Sequence, residues 1–380
     1  MFFLLFFLNL FFSKMRPFCL LLLNSLCVVA QVVQQSAEVR LRFAPVLTDN
    51  AVLQRAPAAA RVYGVVEGTR SPSSRTPQIS ITVTKDNDPT GSSAYTIAAQ
   101  HVEVVNATYA RWRATLRPGL VSAGAHTIAA TLATSDAAAA AGAKISNILF
   151  GEVWLCSGQS NAWLPMHFSL SRNSSYDALI RGKSGTLRLI TLDQAIATDV
   201  EIARGDFDPS LGAMQNTYAA DAWQYPGGGW QRAQVGTYPD GAFDAGGHFF
   251  NNTVAAFSAL CYYYGEKISE QWNHTVPIGL ISSSWGGTTV EDWSPNASLT
   301  SGVCSYPVGG GASSPSSSAV FSTNYGNPIA SPATLYNAMI LPLANMTIKG
   351  VVWYQGGECE LRRSDCVRLL LQTFLHRVCT

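Results

Sequence analysis

Three stretches of this chain share one design, an apolar run that ends at once in a Gly-rich polar turn. They read ISNILFGEVWLCSGQSN (145–161), VPIGLISSSWGGTTVEDW (276–293) and TIKGVVWYQGGECE (347–360). Between the first two lies NNTVAAFSALCYYYGEKISEQW, in which Val254, Phe257, Leu260, Cys261, Tyr264 and Ile268 fall on one helical face. Between the last two lies SPATLYNAMILPLANM, with Leu335, Met339 and Leu343 spaced alike. Alternating strand and helix predicts a parallel sheet with right-handed crossovers. Such sheets bind ligands at the carboxyl ends of their strands, where all three polar turns fall. The three turns are therefore expected to meet in space.

Upstream the pattern changes. From about residue 40 to residue 130 short segments of period-two alternation recur, among them ISITVTKD, ARWRATL and HTIAATLA. They predict a β-sandwich of roughly a hundred residues. The stretch ATSDAAAAAGAK lacks apolar periodicity and reads as a low-complexity loop. Residues 301–326, rich in Ser and Gly, read as a surface loop inserted in the second crossover, either lid or linker.

At the N-terminus Lys14 and Arg16 split two apolar runs, each too short to span a bilayer comfortably. From Met15 the order is basic, apolar, small, which is a secretory leader cleaved after Ala30; a signal anchor using both runs is the competing reading. After cleavage no integral membrane span is expected. Six N-x-S/T sequons, at Asn106, Asn173, Asn251, Asn273, Asn296 and Asn345, point the same way, to a secreted or lysosomal glycoprotein. The domain plan is then leader 1–30, β-sandwich 37–144 and α/β domain 145–380.

Removal of the leader leaves Cys156, Cys261, Cys304, Cys359, Cys366 and Cys379, an even number that permits disulfides in fifteen pairings. With no C-x-x-C pair, no metal site is expected. A net charge of +1, from 25 basic and 24 acidic residues without a long run of either sign, advertises no face for nucleic acid.

In GEVWLCSGQSN either Ser157 or Ser160 could present a hydroxyl at the end of a rigid strand, beside backbone N–H groups able to hold an oxyanion. The blocks GEVWLCSGQSN, PIGLISSSWGGTTVEDW, LYNAMILPL and IKGVVWYQGGE, with LRFAPVLTDNAVLQRAPAAARVYGVVEGT upstream, resemble the sialate O-acetylesterase family of SGNH-type hydrolases. The resemblance covers about residues 40 to 360, in order and at fitting spacings.

It implies an α/β fold, a three-layer SGNH-hydrolase-like parallel sheet with crossover helices, preceded by a β-sandwich. It makes Ser160 the nucleophile, leaves Ser157 as a strand-end residue, and assigns Gly287 and the amide of Gln355 to the oxyanion hole. The alternative for Gln355 is a turn residue bonding its own backbone. Asn161 is expected to orient the serine turn, and Glu291 and Trp293 to line the substrate pocket, with a core position the alternative for Trp293. The implied substrate is an O-acetylated sialoglycan, with no cofactor and a monomeric enzyme; acetylated xylan is the alternative substrate.

Two departures stand out. The family's third block usually reads like WYQGESN, against WYQGGECE here. The family draws its acid and histidine from a later D-x-x-H element, and none of His101, His126, His167, His248, His274 and His376 has an aspartate three residues before it. The resemblance therefore implies a member shortened at its C-terminus, as an incomplete gene product or as a catalytically silent glycan-binding protein.

Overall fold

The computed structural model describes residues 39–68, 76–106, 108–119, 121, 124–133, 141–183, 185–192, 229–235, 254–299 and 333–355. The expected leader, residues 134–140 of the alanine-rich stretch, the Ser/Gly-rich stretch 301–326, His248 and His376 lie outside the described residues.

Eight strands build the N-terminal part: β1 (Arg40–Phe43), β2 (Val52–Gln54), β3 (Arg61–Glu67), β4 (Gln78–Lys85), β5 (Tyr95–Ala98), β6 (His101–Asn106), β7 (Tyr109–Thr115) and β8 (His126–Ala133). One antiparallel sheet runs β1-β3-β7-β6. The other runs β5-β4-β8 and continues antiparallel into β9 (Gly142–Gly158). In β4 and β7 every second residue is buried, as expected when one face packs on a core and the other meets water. The inward set, Val62, Val66, Ile79, Ile81, Val83, Trp112, Ile128 and Leu132, forms one continuous core between the two sheets.

Strand β9 joins the two halves of the fold. Its first half pairs with β8, Leu149–Gly151 pair parallel with β2, and Glu152–Gly158 pair parallel with β12 (Ile278–Ser284). The handover falls at a bulge where Asn147 takes a left-handed φ of 57° and its Nδ2 donates to Asn50 Oδ1 at 2.6 Å. Asn tolerates that conformation better than other side chains, and a bulge bends the strand toward its new partners.

The parallel sheet runs β11-β10-β12-β9-β13, with β10 (Leu187–Thr191), β12, β9 and β13 (Gly350–Tyr354) parallel and the two-residue β11 (Gln231–Arg232) antiparallel at the edge. All seven residues of β12 are buried, because both faces of a parallel sheet are covered. Four helices lie among the described residues: α1 (Ser160–Trp163), α2 (Arg172–Ile180), α3 (Ala259–Gln271) and α4 (Asn296–Leu299).

Half of the expected stripe is buried, Val254 and Phe257 just before the crossover helix α3 and Cys261 within it. Cys261, Tyr262, Gly265 and Ser269 face inward, while Leu260, Tyr264 and Ile268 are only partly covered. The rotation follows from Gly265, whose missing side chain lets the helix lie directly against Leu280 of β12. In the second crossover Leu335, Met339 and Leu343 are all buried, on a π-turn (Tyr336–Ile340) and a 3₁₀ turn (Leu341–Leu343). Their even spacing of four suits the wider π-turn, and Pro342 ends it.

At the end of the sheet away from the polar turns, buried Glu152 accepts from Arg55 Nε at 3.2 Å and from its Nη2 at 2.7 Å, with Lys349 Nζ 4.0 Å away. The Arg55 guanidinium also covers the Trp272 ring, 4.7 Å from its centroid. Arg55 follows β2, so the pair ties the sandwich to the parallel sheet. Arg55→Ala leaves a buried carboxylate with only a distant lysine, and is expected to lower unfolding stability by about 3 kcal/mol. Urea denaturation of the two proteins checks this.

Candidate active site

The carboxyl ends of β9, β12 and β13 lie side by side, Gly158 opposite both Ser284 and Tyr354 in the register, so the three polar turns leave the sheet together. Gly158 has a φ of 134°, and a Cβ there would overlap the Tyr354 carbonyl; a side chain would part β9 from β13 just before the turn. The Gln159 N–H donates to Tyr354 O at 3.1 Å and the Trp285 N–H to Gly158 O at 3.0 Å, fixing the turn from both sides.

The two serines of SGQS have opposite environments. Ser157 is fully buried, and its Oγ has no hydrogen-bond partner. Ser160 opens α1, is exposed, and makes no side-chain hydrogen bond among the described residues. Gly286 lies against it: a Cβ built on Gly286 would be 3.6 Å from both the Cα and the Cβ of Ser160. The next residue, Gly287, is exposed with a φ of 70°, a conformation that a side chain would strain. Asn161 is exposed beside Ser160.

Thr288 is the hub that sequence reading missed. Its Oγ1 donates to Trp285 O at 2.8 Å and accepts from Trp293 Nε1 at 2.8 Å. Its carbonyl accepts from Gln355 Nε2 at 3.3 Å. That bond sets the amide orientation, because a flipped Gln355 would bring two oxygens together. One Nε2 proton remains for another acceptor, and Gln355 Oε1 is buried without a hydrogen-bond partner.

Trp293, 1% exposed, packs edge-on to Trp353 and supports the Gly286–Thr288 turn from within the core. Glu291 is also buried, at 3% exposure. Asp292 closes the same turn, its Oδ2 accepting from the N–H of Thr289 at 2.8 Å and from its Oγ1 at 3.0 Å. The structure thus brings Ser160, Asn161, Gly287 and Gln355 to the ends of the three strands, and sets Glu291 and Trp293 beneath the second turn.

The serine turn is anchored from below. Cys156, four residues before Ser160, forms a disulfide with Cys261 in the first turn of α3, both fully buried. Ser258 caps α3, accepting from Cys261 N at 3.2 Å, while its own Oγ donates to Ala162 O in α1 at 2.6 Å. A Ser just before an apolar periodic run is the sequence sign of such a cap. Its second bond, to a segment 96 residues away, has no local signal.

Chemically the arrangement offers an exposed hydroxyl, a glycine turn whose backbone comes close to it, and an oriented amide. Among the described residues no histidine is hydrogen-bonded to Ser160: His101 and His126 lie in the sandwich, His167 in the 3₁₀ turn Met166–Phe168, and His274 beyond α3, with its Nδ1 on Ser269 Oγ at 2.9 Å. Nor, among them, do three or more His, Cys, Asp or Glu converge on a point that could hold a metal. No helix among them is long and apolar enough to cross a membrane.

No family model matches the chain. It is 30% identical over 359 residues to the sialate O-acetylesterase of Rattus norvegicus, covering 90% of this chain and 56% of that protein. With the sialate O-acetylesterase of Homo sapiens it shares 29% identity over 328 residues, 85% of this chain and 50% of the relative. The crystal structure of a carbohydrate acetylesterase from Xanthomonas citri has a like fold, with a TM-score of 0.53 and 20% identity, over 88% of this chain and 57% of that one. The chain spans about half the length of the curated relatives it matches. Over that span its sequence is similar to the sialate O-acetylesterases.

Proposed function

We propose that this chain is a serine carbohydrate esterase that removes O-acetyl groups from sialic acids. Ser160 Oγ attacks the acetyl carbonyl, and the Gly287 N–H and the free N–H of Gln355 Nε2 hold the oxyanion. The sugar alcohol leaves and takes a proton. Water then attacks the acyl-serine, releasing acetate and restoring the hydroxyl. The Ser160 proton passes to a base, and among the described residues no histidine is hydrogen-bonded to Ser160.

The observation that carries this reading is the convergence of Ser160, Gly286, Gly287 and Gln355 at the carboxyl ends of three neighbouring strands. Sialate is preferred over other acetylated glycans because the mammalian relatives are named for that substrate. Passage through the secretory pathway is part of the proposal, supported by the leader, the sequons and the buried Cys156–Cys261 disulfide.

The test is acetate release from 9-O-acetylated sialic acid, beside acetylated xylan, by secreted protein spanning residues 31–380. Faster release from the sialic acid supports the substrate assignment, and faster release from xylan reassigns it. No release from folded protein that still binds the glycan would replace the esterase reading with a binding-only one. Gln355→Ala is expected to lower kcat by about 10²–10³-fold, because one oxyanion donor is lost, with little change in KM or melting temperature. Steady-state kinetics separate this from a structural effect.

A further inference from the structure

The sequons are alike as motifs and unlike in the fold. Asn345 sits where the second crossover meets the sandwich. Its Oδ1 accepts from Arg113 Nη1 of β7 at 3.0 Å, and the side chain is half-buried. Its sequon partner Thr347 donates through Oγ1 to Ala59 O at 2.8 Å, and Met346 between them is 2% exposed. Three residues earlier, Pro342 O accepts from Tyr63 OH at 2.6 Å. These bonds close a seam in which all three sequon residues are engaged. A branched sugar on Asn345 Nδ2 would sit directly beside the Arg113 guanidinium that the same amide bonds, against the rim of that seam.

Asn273 has the opposite setting. It follows α3, is exposed, and takes a left-handed φ of 49° that turns the chain out of the helix. The bonds of its turn are made by the backbone, Asn273 N–H to Glu270 O at 3.0 Å, and by Thr275 Oγ1 to Trp272 O at 2.6 Å, which leaves the amide outside. Next to it Trp272 is 42% exposed, apolar surface that a sugar can cover. Helix α3 starts beside α1, at Ser258, and ends where β12 begins, so Asn273 lies at the end of the sheet opposite Ser160. A glycan there leaves the site open. The exposed sequons Asn173 and Asn296 carry Ser at the third position and lie within α2 and α4.

We propose that Asn273 is an occupied N-glycosylation site and that Asn345 is bare in the folded protein. The proposal rests on passage through the secretory pathway and is independent of the esterase reading. Glycan transfer precedes folding, so a sugar on Asn345 would crowd the Arg113–Asn345 bond as the seam closes, and chains that carry it are expected to be depleted from the folded, secreted pool.

Site occupancy is read by enzymatic deglycosylation of the secreted protein in heavy-oxygen water, followed by peptide mass mapping, which marks each formerly glycosylated Asn as Asp. The expected result is label at Asn273 and none at Asn345, with Asn273→Gln losing one glycan-sized mass step. Label at Asn345 in folded protein, or an unlabelled Asn273 beside other labelled sequons, overturns the proposal. No label anywhere overturns it together with the secretory reading, while acetate release measured on the same material reports the esterase reading separately.

Discussion

Ser160→Ala is expected to abolish acetate release and to leave the fold intact, whereas Ser157→Ala, three residues away, is expected to harm neither. The loss at Ser160 should be on the order of 10⁶ in kcat, the scale seen when a serine hydrolase loses its nucleophile. Stability should not follow, since Ser160 is exposed and its hydroxyl holds nothing in place. Ser157 is buried, with a hydroxyl that lacks a partner. Removing such a group is neutral or slightly stabilising, because an unsatisfied buried hydroxyl costs about 1–3 kcal/mol. Acetate release and thermal melting of the two variants, side by side, check both halves. Activity that survives at Ser160→Ala and vanishes at Ser157→Ala would reverse the assignment.

Replacing Cys156 and Cys261 together by alanine is expected to destabilise the fold more than Arg55→Ala or either serine variant. The disulfide spans 105 residues of sequence, and in the chain-entropy picture closing a loop of that order stabilises by about 4–5 kcal/mol. The two new cavities are small, since alanine replaces only a sulfur atom. The bond also pins the first turn of α3 under the strand that delivers Ser160, so the serine turn should loosen before the rest of the sheet. Urea midpoints of wild type, wild type under reductant and the double variant measure the effect. Equal midpoints for all three would show that the cross-link contributes nothing.

The sequence announces β9, β12 and β13 because each is an apolar run that leads into a glycine-bearing turn; β12 is buried on both faces, while β13, paired with β9 alone among the described strands, is only partly covered. Strand β10 is hard to see for a physical reason. It has five residues, and Arg188 interrupts its apolar run. That arginine is nonetheless buried, its guanidinium pushed down to about 10 by burial and by nearby Arg232. The double role of β9 is equally hidden, since its alternating half and its fully buried half look like two strands until the Asn147 bulge joins them.

For the candidate site, the strand-end serine and the glycine turns are local features that a reader of the chain can find. Thr288 and Asp292 act through bonds that depend on the folded turn, and the bond from Ser258 to Ala162 crosses 96 residues, so no spacing reveals them. The bond between Cys156 and Cys261 occurs in three of the fifteen arrangements left open by counting, and only the docking of α3 on the sheet selects it.

The central claim is that Ser160 is an acyl-accepting nucleophile facing an oxyanion hole. The most direct measurement is peptide mass mapping of the secreted protein after reaction with a fluorophosphonate, which bonds only to a serine that is both activated and flanked by oxyanion donors. The account requires one adduct, on the peptide carrying Ser160, lost in Ser160→Ala and weakened in Gln355→Ala. An adduct on another serine, or none on folded protein, would contradict it.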